Sequence, residues 1–80
     1  MPRYGVLWVD VAREQYASLP ATARQQIDAR IEQLLENPRL PRSAYDASSD
    51  QWTATYGGDT GLIVFAAVHE RRRLIILRLV

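Results

Sequence analysis

Four aliphatic side chains, Ile27, Ile31, Leu34 and Leu35, recur at helical offsets after Ala23, while Arg24, Asp28, Arg30, Glu32 and Gln33 fill the remaining surface. Asn37 and Pro38 follow at once. Proline cannot continue a helix, and asparagine tolerates the left-handed cap conformation. The stripe therefore predicts a helix that stops at Asn37-Pro38 and is apolar along one side only. Such a helix gains most of its stability from tertiary packing, so the rest of the chain must supply a layer to cover the stripe.

The flanking segments read mostly as sheet. Tyr4 to Asp10, YGVLWVD, is β-branched and aromatic, as a strand buried on at least one face should be. VAREQYASL then spaces Val11, Ala12, Tyr16 and Leu19 near a helical period, predicting a short first helix that ends around Ser18 and Leu19. Pro20 fits the first turn of the second helix, where its missing N–H costs nothing. Asn37 to Asp50 holds two prolines, small polar residues and no period, and is expected to be a surface loop. Gln51 to Tyr56 alternates Trp52, Ala54 and Tyr56 against Gln51, Thr53 and Thr55. Gly57-Gly58-Asp59-Thr60-Gly61 is turn material, Leu62 to Val68 is a nearly continuous apolar run, and Leu74 to Val80 supplies a last strand after a charged reversal at Glu70, Arg71 and Arg72. The order β-α-α-β-β-β predicts an α+β fold in which two N-terminal helices pack on one face of a small, mainly antiparallel sheet.

Eighty residues bury too little surface for a second core, so residues 1–80 are expected to form a single domain. With no Cys and one His, a disulfide framework and a thiolate metal centre are excluded, and neither metal nor cofactor is expected. No apolar run approaches the roughly 20 residues that span a bilayer, and MPRYGVLWVD lacks the pattern of a signal peptide. A cytoplasmic chain with no membrane partner is the expectation. A net charge of +1 argues against a generic coat for nucleic acid. All ten basic residues are nevertheless Arg, and Arg71, Arg72, Arg73 and Arg78 crowd the C-terminal stretch, opposed there only by Glu70.

Several groups invite a chemical reading. The glycine run joins two strands rather than leading into a helix, so it reads as a hairpin turn and not a phosphate cradle. No strand-turn-helix elbow presents a serine for a hydrolase triad. Asp46 and Asp50, four apart in a loop, suit Asx-turn work or solvation better than acid–base chemistry. His69 is either a solvated hairpin-end residue or a general base. Arg71, Arg72 and Arg73 either blunt the sheet edge against aggregation or, with Arg78 and the loop residues Arg39 and Arg42, bind phosphate through their planar forks. Trp52 and Tyr56 share one strand face and either pack against the helices or stack on bases. Tyr45 is the aromatic that packing least obviously requires.

The strings YGVLWVD with VAREQYASLP, RQQIDARIEQLLENP, WTATYGGDTGLIVFAAV and RRRLIILRLV, in this order and spacing, resemble the RelE/ParE superfamily of bacterial toxin–antitoxin toxins over nearly the whole chain. The resemblance implies a type II toxin held inactive by a cognate antitoxin protein. It implies growth inhibition through the ribosome and its mRNA or, in another branch, through DNA gyrase. Ribosome-dependent members carry basic residues on the strand after the long loop and an Arg at the start of the next. Here those places hold Thr53 and Thr55, and Gly61 or Leu62. Arg78 matches a position often basic in the gyrase-directed branch. The expectation is therefore a translation-directed toxin, alternatively a non-nucleolytic gyrase-directed toxin or a member that only binds its antitoxin. Arg71, Arg72, Arg73 and Arg78 are the candidate nucleic-acid contacts, and Arg78 and His69 the candidate catalytic groups if mRNA is cleaved.

Overall fold

The computed structural model describes residues 4–37, 43–58 and 61–80. Strand β1 (Gly5–Trp8) leads into helix α1 (Asp10–Ala17) and helix α2 (Ala21–Glu36). Then follow β2 (Ser43–Asp46), β3 (Gln51–Tyr56), β4 (Gly61–Val68), a short 3-10 turn (His69–Arg71) and β5 (Arg73–Leu79). One sheet contains all five strands in the order β1-β5-β4-β3-β2. β1 runs parallel to β5, and every other pair is antiparallel. The expected α+β arrangement is therefore present, with β1 returned to the sheet beside the last strand.

The helical stripe meets alternate residues of three strands. Ala12 of α1 and Ile27, Ile31, Leu34 and Leu35 of α2 form one core with Ala54 and Tyr56, Ile63 and Phe65, and Leu74, Ile76 and Leu79. Because side chains alternate across a strand, Thr53, Thr55, Leu62, Val64, Ala66 and Ile75 point to the opposite, uncovered face. Of the two aromatics on that strand face, Tyr56 is buried in the core, and Trp52 is half-buried against it, nearly parallel to Phe65 with centroids 6.3 Å apart. The two helices are tied by the Tyr16 hydroxyl, which donates to Asp28 at 2.8 Å.

Three local expectations are corrected. First, the segment expected as loop from Asn37 to Asp50 contains β2, which pairs Ser43 with Ala54 and Asp46 with Gln51. SAYD carries no alternating apolar pattern; its ladder comes from β3, and Tyr45 rests on Trp52 at 5.1 Å. Second, Asn37 caps α2 in an extended conformation (φ −156°), not a left-handed one. The following proline disfavours helical geometry in the residue before it and pushes that residue toward extended backbone. Third, Pro20 is the residue before α2 rather than a member of its first turn. The turn at Gly57 and Gly58 matches expectation, with φ of 62° and 64° that glycine adopts at no steric cost.

Beyond the end of β1, the sheet edge is completed by a side chain. Val9 N–H donates to the Ile76 carbonyl at 3.1 Å, the last backbone bond from this segment. Further along β5, Gln15 of α1 takes over: its Oε1 accepts from Leu79 N–H at 2.8 Å and its Nε2 donates to Leu79 C=O at 3.0 Å. One primary amide thus stands in for a strand residue.

Candidate functional site

The arginines of the C-terminal stretch reach the surface by two different routes. Arg71 closes the 3-10 turn, Arg72 adopts the left-handed region (φ 52°), and Arg73 opens β5 opposite Gly5 and Val68. The left-handed residue reverses the chain tightly and keeps the three consecutive arginines at one corner of the sheet. With Gly5, Val6 and Leu7 they line a cleft of about 330 Å3. A Cβ at Gly5 would meet nothing within 4 Å, so this corner is open.

Arg78 depends on an irregularity. Leu74 and Ile76 face the helices, and simple alternation would send residue 78 into the same core. The β4–β5 register instead passes from Phe65↔Ile76 to Val64↔Arg78 and Ile63↔Leu79, leaving Leu77 as an extra residue. This bulge returns Leu79 to the core and turns Arg78 onto the open face. There Val64, flanked by Thr53 and Arg78, is only 4% exposed, while Leu62 and Leu7 on the same face remain 37% and 48% exposed.

Arg73 and Arg78 therefore share the open face, about 15 Å apart along β5 at the usual rise per residue. Arg71, Arg72, Arg73 and Arg78 make no side-chain hydrogen bond or ion pair among the described residues. Their forks are available to a ligand. Arg39 and Arg42, expected to converge with them, lie outside the described residues. Thr53, Thr55 and Leu62 stand on this same face, so its centre is neutral.

His69 is not part of this surface. Its Nδ1 lies 2.7 Å from the Tyr4 hydroxyl, a bond whose donor is set by the imidazole tautomer, and the rings meet edge to face at 5.9 Å. The imidazole lines a separate cleft with Tyr45, Asp50, Trp52 and Ala67. The two candidate catalytic groups, His69 and Arg78, are thus on different faces of the sheet. Sequence reasoning missed this second cleft because β2 itself was unrecognised. Asp46 performs the expected Asx-turn role: its Oδ1 accepts from the Ser48 hydroxyl at 2.7 Å and from Ser48 N–H at 3.0 Å. These bonds, the hydroxyl's first, hold its carboxyl below the usual carboxylate range. Tyr45 donates to Asp50 at 2.5 Å, and that bond raises its phenol above the ordinary tyrosine value.

Among the described residues no group of three His, Cys, Asp or Glu side chains is placed to hold a metal ion. No helix in the described residues is long and apolar enough to cross a membrane.

No family model matches the chain, and no curated protein matches it. Solved structures do. The chain superposes on a chain of the intact E. coli RelBE toxin–antitoxin complex with a TM-score of 0.82, at 17% identity, covering 95% of this chain and 93% of that one. A mutant E. coli RelE toxin in complex with an antitoxin RelBc peptide gives 0.81 at 18% identity, over 99% of this chain and 82% of the other. The archaeal RelE–RelB complex from Pyrococcus horikoshii gives 0.72 at 16% identity, over 99% and 93%. From β1 through the parallel return to β5, this chain has the fold of the RelE toxins.

Proposed function

We propose that this chain is the toxin of a type II toxin–antitoxin pair, bound by a cognate antitoxin and inhibiting growth by acting on translation at the ribosome. The observation that carries the reading is the end-to-end fold match to toxins solved together with their antitoxins. The uncovered sheet face agrees with it. Leu7, Leu62 and Ile75 stand there without a second layer among the described residues, which suits a surface that a partner covers. Arg73 and Arg78 on the same face supply forks for the phosphates of a nucleic-acid target.

The chemistry of that face supports binding more than cleavage. RNA cleavage through the 2′-hydroxyl needs a group to activate the nucleophile and charge to stabilise the phosphate in the transition state. The open face offers two arginines about 15 Å apart and, at its centre, threonines and a leucine. His69 is on the other side. Cleavage is therefore expected to be weak or absent even where ribosome binding is intact. The same neutrality favours a second reading, a non-nucleolytic toxin directed at DNA gyrase.

Induction of the chain without antitoxin tests both. Growth arrest with mRNA 5′ ends mapping to ribosomal A-site codons would establish cleavage and refute the argument from Thr53, Thr55 and Leu62. Arrest with intact mRNA and lost supercoiling would select the gyrase reading, and unimpaired growth would remove the toxin reading altogether. In vitro, Arg73→Ala and Arg78→Ala should flatten the salt dependence of ribosome or RNA binding by about 0.7–0.9 of a log–log slope unit per lost phosphate contact.

A further inference from the structure

The cleft around His69 is built from residues that the toxin reading leaves unused. Tyr45, Asp50, Trp52, Ala67 and His69 enclose about 340 Å3, the low end of the range for small-molecule sites and enough for one long side chain. Its floor is rigid, because Trp52 stacks on the fully buried Phe65 with an interplanar angle of 13°. Tyr45, half exposed, leans over Trp52 at 5.1 Å. Asp50 projects from a left-handed backbone position (φ 55°), and the Tyr45 hydroxyl occupies its Oδ1. Its Oδ2 has no hydrogen-bond partner among the described residues.

An aromatic platform beside an oriented carboxylate, with no arginine among its described lining residues, repels phosphate and attracts a cation. The geometry points to a receptor for a guanidinium group: an arginine side chain of a partner protein packs against the rings of Trp52 and Tyr45, whose planes are inclined at 49°, and donates to Asp50 Oδ2. Guanidinium fits better than ammonium because it is planar, stacks on rings and is weakly hydrated, whereas a lysine head is a compact, strongly hydrated charge. This site is on the opposite face from Arg73 and Arg78 and does not depend on the toxin reading.

The test is saturation-transfer NMR on the full chain at micromolar concentration, with N-acetyl-arginine amide as the probe. Binding in the millimolar range is expected, as one stacked, charge-assisted contact provides. Asp50→Asn should weaken it about tenfold, since the charge is lost while asparagine keeps the left-handed backbone. Trp52→Leu should abolish stacking, and circular dichroism checks that this variant folds. N-acetyl-lysine amide should bind several-fold more weakly. No transfer to the arginine probe, transfer undiminished in Asp50→Asn, or preferential transfer to guanosine monophosphate would each overturn the assignment, the last in favour of a nucleobase site.

Discussion

Replacing Gln15 with alanine isolates a place where a side chain completes the sheet. In the native fold its amide makes both bonds to Leu79, at 2.8 and 3.0 Å, and Leu79 itself is buried. Each bond contributes about 1 kcal/mol net, and a backbone group left without partner or water costs about 1–3 kcal/mol. The edge here is only part-buried, so water replaces some of the loss, and the expected cost is about 2–3 kcal/mol. A domain of this size is stable by roughly 4–12 kcal/mol, so this is a large fraction. Urea denaturation should show a midpoint lower by about 2 M with an unchanged slope near 1–1.5 kcal/mol per molar. Gln25→Ala, on an exposed position of α2, is the control and should stay within about 0.5 kcal/mol. Gln15→Glu adds a pH signature. The carboxylate keeps an acceptor for Leu79 N–H but places a charge against Leu79 C=O, whereas the protonated acid can donate to it. Its proton is therefore held more tightly folded than unfolded, so its stability should be greater at acidic pH and lost as pH rises through the glutamate range. A Gln15→Ala loss equal to that of Gln25→Ala would refute the argument that this amide substitutes for a strand.

Ile31→Ala should cost about 2–5 kcal/mol in the same melts, because the side chain is buried between α2 and the sheet. Gly61→Ala places a Cβ 2.5 Å from the ring of Tyr56 and should cost about 1–3 kcal/mol; in a Tyr56→Leu background the penalty should largely disappear, which a double-mutant cycle measures. Asp46 has its carboxyl held down chiefly by the Ser48 hydroxyl, so its contribution is present above the ordinary aspartate range and lost as pH falls through the lower folded value. The stability difference between the wild type and Ser48→Ala should accordingly be constant near neutrality and vanish in strong acid. The chain expressed alone should bind apolar dyes and aggregate, while co-expression with its partner should yield a soluble complex. A stable, dye-silent monomer would count against the uncovered face as a docking surface.

Local periodicity determined most of this fold. The 3.6-residue stripe of α2 and the alternation of β3 are properties of neighbouring residues and named their two faces in advance, while the apolar runs of β4 and β5 marked strands without saying which face is buried. The same holds for the Gly57-Gly58 turn and for the Asx turn at Asp46. Where the structure added something, the cause lay in residues far apart along the chain. β2 has no pattern of its own and exists as a strand because β3 supplies its hydrogen bonds and Trp52 a ring for Tyr45. Gln15 looks like any helix-surface glutamine until α1 is laid beside the end of β5. The two surfaces of interest were decided in the same way. Arg78 would face the core by alternation, and only the extra residue at Leu77 turns it outward. His69, Tyr4, Asp50 and Trp52 meet because strand pairing gathers them at one end of the sheet, and pairing register is a tertiary property that no single strand encodes.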